Sequence, residues 1–133
     1  MQKSLYLIRH DWTWRSVDME NSTFCKNMHR RIVRNFLDVL VLAELRRGPL
    51  CGYDVITFVN DRFRLLVSSG TVYSVLYSLE RNGLIDGVQM QRRRMYKLTD
   101  EGEKTVKRMM SASDETQYLV LKLLRLQEKQ HER

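Results

Sequence analysis

The chain has 133 residues, 43% hydrophobic and 29% charged, the balance of a soluble globular domain with one modest core. No apolar run approaches the ~18 residues of a membrane span. The N-terminus lacks the apolar region of a signal peptide, so the expected compartment is the cytoplasm. Two cysteines, Cys25 and Cys51, are too few for a disulfide framework.

The formal net charge is +7. Through Leu98 there are 16 Lys+Arg against 9 Asp+Glu; from Thr99 onward there are 7 against 7. The basic excess therefore sits in the first three-quarters, which suggests a polyanion-binding body and a tail with another task.

Residues 1–27 read as an N-terminal extension with a short strand at Leu5–Ile8 and both tryptophans, Trp12 and Trp14. Met19 and Met28 are alternative starts to Met1. From His29 to Arg47 the spacing is helical, with Ile32, Val33, Phe36, Leu37, Leu40 and Leu45 on an apolar face. Gly48-Pro49 stop it. A shorter helix fits Gly52–Asn60, with Tyr53, Ile56, Val59 and Phe63 on one side.

A third helix fits 68–83. Ser68 can cap it, Val72, Val75, Leu76 and Leu79 form its inner stripe, and Gly83 closes it. The period then changes to that of two strands, Leu84–Met90 and Arg94–Leu98, joined by a basic link with Arg92, Arg93 and Arg94. Thr99 is a good cap for a last helix that carries Asp100 and Glu101 in its first turn. "SASDE" at 111–115 is a place for it to kink.

Two apolar seams coexist on that tail. One runs Met109, Ala112, Leu119, Leu123, Leu126, the other Val106, Met110, Val120, Leu124. A terminal helix cannot hide both, so one face should pack on its own domain and another on a second copy.

The fold class is thus mainly α with a small β-hairpin wing: a winged helix-turn-helix over 28–98 and a C-terminal dimerisation helix over 99–133. In such a fold the third helix enters the major groove and the wing, here 86–96, reaches backbone or minor groove. The third helix's outer face is small, hydroxyl-rich and aromatic, suited to phosphates, base edges and thymine methyls. The expected DNA-binding residues are Ser68, Ser69, Gly70, Thr71, Tyr73, Ser74, Tyr77 and Arg81 on the helix, and Arg92, Arg93 and Arg94 on the wing. The expected partner is double-stranded DNA carrying a pseudo-palindrome, with the two third helices of a homodimer about 34 Å apart. A winged-helix protein-interaction module is the alternative.

"LVLAELRRGPLCGYDVITFV", "SSGTVYSVLYSLERNGLI" and "RRRMYKLTDEG" resemble successive signatures of the PadR family of transcriptional regulators. The matching residues are Gly52-Tyr53, then Ser68, Gly70, Thr71 and Tyr73, then Leu79, Glu80, Gly83, Leu84 and Ile85, then Arg92–Arg94, Tyr96, Leu98 and Thr99. The resemblance implies a winged-helix dimer that binds operator DNA, usually as a repressor. Ser69 stands where a proline is common, Cys51 where histidine is frequent, and the wing lacks a tip glycine. Some members bind aromatic effectors through a tryptophan on the C-terminal helix; this tail has only Tyr118, so no effector is carried over.

A second likeness is local. "LYLIRHDWTW" at 5–14 resembles the start of histidine phosphatases, in which Arg-His-Gly delivers a nucleophilic histidine. Here Asp11 replaces the glycine and puts negative charge where an anion should sit. His29 and His131 lack a strand-end context, so the chain is expected to be no enzyme and to have no catalytic residue. Cys25 and His29 are too few for a zinc site, and no metal or cofactor is expected.

Overall fold

The computed structural model of the chain describes residues 23–125. The element order is α1 (Thr23–Asn35), α2 (Leu37–Leu45), α3 (Gly52–Phe63), α4 (Ser69–Arg81), β1 (Ile85–Met90), β2 (Arg93–Leu98), α5 (Asp100–Ser111) and α6 (Ser113–Leu124). This is the winged-helix order expected from the sequence. The strand at Leu5–Ile8, Trp12, Trp14, His10, Leu126 and His131 lie outside the described residues.

The first helical pattern is not one helix. It begins at Thr23, earlier than its periodicity signals, and bends at Phe36 (φ −107°, ψ 16°). The ladder survives the bend: Phe36 N–H donates to Ile32 O at 3.0 Å and Leu40 N–H to Phe36 O at 3.0 Å. Neither Gly nor Pro marks the place. Of the residues on the expected apolar face, Ile32 and Phe36 stay exposed.

The core lies where α2, α3, α4, β1 and α5 meet. Leu37, Val41, Val55, Val59, Val72, Leu76, Ile85 and Val106 are essentially fully buried. Each such side chain stabilises the fold by about 1.5–3 kcal/mol. On α3 the buried pair is Val55 and Val59, while Tyr53, placed by its spacing on the apolar side, is exposed. The buried face is rotated away from it because Cys51 and Gly52 go inward at the helix start. On α4 the stripe is as expected, with Val72, Leu76 and Leu79 buried and Val75 half-buried. That stripe fixes which face α4 turns outward.

Side-chain caps fix the helix starts. Cys51 N–H donates to Asp54 Oδ2 at 2.8 Å, which holds the first turn of α3. Ser68 Oγ accepts from Thr71 N–H at 3.2 Å, and Thr99 Oγ1 accepts from Gly102 N–H at 3.0 Å. Thr99 also donates its hydroxyl to Gly83 O at 2.6 Å, joining the end of α4 to the start of α5 across the hairpin.

The strands pair antiparallel, Ile85 facing Leu98 and Met90 facing Arg93. The hairpin is fastened to the helices by a short bridge: Leu50 N–H donates to Tyr96 O at 3.0 Å, and Tyr96 N–H to Leu50 O at 2.7 Å. Tyr96 is buried beneath this bridge, whereas Val88 and Met90, further out, are exposed.

The tail bends at Ala112 (φ −90°, ψ 5°), within the expected kink. α5 packs on the domain through Val106, only 1% exposed, and through Met109. α6 buries no residue.

Candidate nucleic-acid interface

The outward face of α4 carries the expected residues. Ser68, Ser69, Gly70, Tyr73, Ser74, Tyr77 and Arg81 are exposed, and Thr71 is half-buried, with its Oγ1 2.8 Å from Ser68 Oγ. Beside this face stands the wing tip, Gln91-Arg92 between the two strands. The tip has no glycine, and Gln91 takes the left-handed conformation (φ 55°) that glycine would favour.

Between α4, the wing and the start of α3 lies an open depression of about 330 Å³. It is lined by Cys51, Gly52, Tyr53, Tyr73, Arg92, Arg93 and Arg94. The lining holds three arginines, two tyrosines and no carboxylate. Of the expected DNA-binding residues it gathers Tyr73 and the wing arginines; Tyr77 and Arg81 lie outside it. Sequence spacing did not signal Cys51, Gly52 and Tyr53 as neighbours of the wing. The Gly-Tyr pair was legible only as the opening of a helix.

Tyr73 leans toward α3. A Cβ built on Gly52 would lie 2.9 Å from ring carbons Cε1 and Cζ and 3.0 Å from the hydroxyl oxygen. The ring is therefore seated on a residue without a side chain, and its hydroxyl sits by the first turn of α3.

The three arginines do not share one environment. Arg94 Nη2 donates to Glu80 Oε1 at 2.6 Å, and its guanidinium lies 5.8 Å from the centroid of the Tyr96 ring. The hydrogen bond and charge of Glu80 hold Arg94 more firmly protonated than usual. Burial pushes the Tyr96 phenol above its ordinary value, while the Arg94 charge pulls it down. Among the described residues, no ion pair or hydrogen bond engages the side chains of Arg92 and Arg93. Expected to act alike, the arginines divide into one tied inward and two presented outward.

The expected dimer residues divide as well. Val106 belongs to the chain's own core and is not available to a partner; Met109 is half-buried against that core. The spacing that put Val106 on a seam is the spacing by which α5 packs on α2. Met110, Leu119, Val120, Leu123 and Leu124 are exposed. Among the described residues no group of three His, Cys, Asp or Glu could hold a metal, and no helix is long and apolar enough to cross a membrane.

A profile of the transcriptional regulator PadR-like family matches residues 41–108. The chain belongs to this family. The matched span runs from α2 into α5 and so contains α4, the wing and the depression between them. Solved structures agree with this PadR-like fold. A PadR family transcriptional regulator from Eggerthella lenta DSM 2243 is 27% identical with a TM-score of 0.62, over 76% of this chain and 92% of that one. A transcriptional regulator from Clostridium thermocellum is 26% identical with a TM-score of 0.59, over 68% of this chain and 91% of that one. Bacillus subtilis PadR in complex with operator DNA is 27% identical with a TM-score of 0.50, over 56% of this chain and 46% of that one. No curated protein matches the chain.

Proposed function

We propose that this PadR-like chain is a dimeric, sequence-specific DNA-binding protein of the cytoplasm that represses transcription. α4 enters the major groove with Ser69, Gly70, Ser74 and Tyr77 toward the bases, while Ser68, Thr71 and Tyr73 serve the flanking phosphates. Arg92 and Arg93 approach the neighbouring backbone from the wing, and Arg81 does so from the end of α4. The dimer forms through the exposed apolar residues of α6, Leu119, Val120, Leu123 and Leu124, with Met110 at its edge.

One observation carries this reading: Tyr73 of α4 and the three wing arginines line one depression whose lining has no carboxylate. Such an arrangement offers a phosphodiester backbone cations and hydroxyls from two directions at once. The Bacillus subtilis relative with operator DNA supports the choice of partner.

Footprinting on DNA upstream of the chain's own gene tests the proposal. The expected result is one protected pseudo-palindrome with half-sites about one helical turn apart. No protection at low salt, from a chain that still self-associates, would overturn it in favour of a protein-interaction module.

A further inference from the structure

Glu80 lies in the last turn of α4 and faces the base of the wing. Its Oε1 accepts from Gly87 N–H on β1 at 3.2 Å and from Arg94 Nη2 on β2 at 2.6 Å. A single carboxylate oxygen thus ties both strands of the hairpin to the helix that would read DNA.

Arg94 reaches Glu80 by crossing β1 over Gly87. A Cβ at Gly87 would stand 2.5 Å from Arg94 Nε and 2.9 Å from Cζ and Nη2. Only a residue without a side chain lets the guanidinium lie there. The Tyr96 ring supports it from the same strand, 5.8 Å from centroid to Cζ. Carboxylate, bare backbone and ring together fix the direction of the fork.

We propose that Glu80 is a positioning residue of the wing: it holds Arg94 as an internal strut between α4 and the hairpin, leaving Arg92 and Arg93 to carry the wing's charge to the phosphates. This rests on the DNA-binding reading above. The guanidinium commits Nη2 to the Glu80 carboxylate at 2.6 Å, and this charge-assisted hydrogen bond competes with a phosphate for the same positive charge. The strut instead sets the angle between helix and wing, so that both meet the duplex in one register. An exposed ion pair adds little to global stability, so its loss loosens the wing without unfolding the domain.

The test is the salt dependence of binding to operator and to random duplex, with full-length chains. For each phosphate that is no longer neutralised, the slope of log affinity against log salt flattens by about 0.9. Arg92→Ala and Arg93→Ala should each flatten it by about that amount, and Arg94→Ala should leave it unchanged. Glu80→Gln should steepen it, because the released guanidinium joins the phosphates. It should also cut the operator-to-random affinity ratio by about tenfold, a typical cost of one poorly read base pair. Gly87→Ala displaces Arg94 without removing its charge and should act like Glu80→Gln. In the DNA-free protein, hydrogen exchange at the Gly87 amide should speed up in Glu80→Gln and stay unchanged in Arg92→Ala.

A slope that flattens in Arg94→Ala as much as in Arg92→Ala would overturn the strut. So would an unchanged slope in Glu80→Gln. A role confined to folding would lower the melting temperature of these variants and leave slope and ratio alone. If the unsubstituted chain binds no DNA, the underlying reading fails and the strut's function with it; if it binds and the variants behave alike, the strut alone fails.

Discussion

The ring of Tyr73 rests on the bare backbone of Gly52, with a Cβ at that glycine falling 2.9 Å from ring carbons Cε1 and Cζ. This places the tyrosine against the first turn of α3 and on the edge of the arginine-lined depression. The proposed DNA-binding mode gives it a phosphate rather than a base edge. Gly52→Ala should push the ring off its seat and weaken binding to operator and random DNA alike, by about tenfold, while thermal melting changes little. Tyr73→Ala should do the same. Fluorescence anisotropy on both duplexes decides it; a loss confined to the operator would mean that Tyr73 reads sequence.

Tyr77 stands on the other side of this division. It is 67% exposed and lies outside the depression. Tyr77→Ala should lower affinity for the operator by about 1–3 kcal/mol, the range for one base pair left unread, with little change on random DNA. Equal losses on both duplexes would remove it from the base-reading set.

The two caps differ in reach. Ser68 serves only the first turn of α4, so Ser68→Ala should cost about 1 kcal/mol. Thr99 serves α5 and also donates to Gly83 O at 2.6 Å. Thr99→Ala should therefore cost more, about 2 kcal/mol, by losing a cap and leaving a carbonyl without its donor. Urea unfolding at constant m-value is the measure; a Ser68→Ala cost equal to or above that of Thr99→Ala would contradict it.

Alkaline pH should expose the buried phenol. Burial raises the Tyr96 pKa above its ordinary 10.0. The folded chain thus keeps the proton to higher pH than the unfolded chain does. The stabilisation is complete below about pH 10 and is lost as pH rises through the folded value. Urea midpoints from about pH 8 to 11 should fall faster for the unsubstituted chain than for Tyr96→Phe. Parallel curves would mean that Tyr96 titrates as if exposed.

The proposed pairing of α6 is open to a direct challenge. Leu119 and Leu123 are 56% and 62% exposed on a helix that buries nothing. The double substitution to Glu should give a monomer at micromolar concentration in sedimentation, with an unchanged far-ultraviolet spectrum for the winged domain. A persisting dimer would place the interface elsewhere.

Local chemistry carried most of the fold into the sequence. Ser68 and Thr99 announced their helices because a cap is satisfied within three residues. Val72, Leu76 and Leu79 announced the inner face of α4 because burial and helical period coincide. What stayed hidden was long-range. Leu50 and Tyr96 form a one-residue bridge with no period to show. Glu80 and Arg94 meet only once the hairpin folds back on α4, so a run of three arginines looked uniform and was not. Val106 had the spacing of a seam, but spacing alone does not tell an intramolecular partner from a second copy.

In the proposed function phosphate contacts lead recognition, and a salt titration of affinity for random duplex tests this most directly. Raising salt from about 50 to 200 mM should weaken binding at least ~100-fold, the loss expected when about four phosphates are neutralised. Affinity that stays flat across that range would contradict the account.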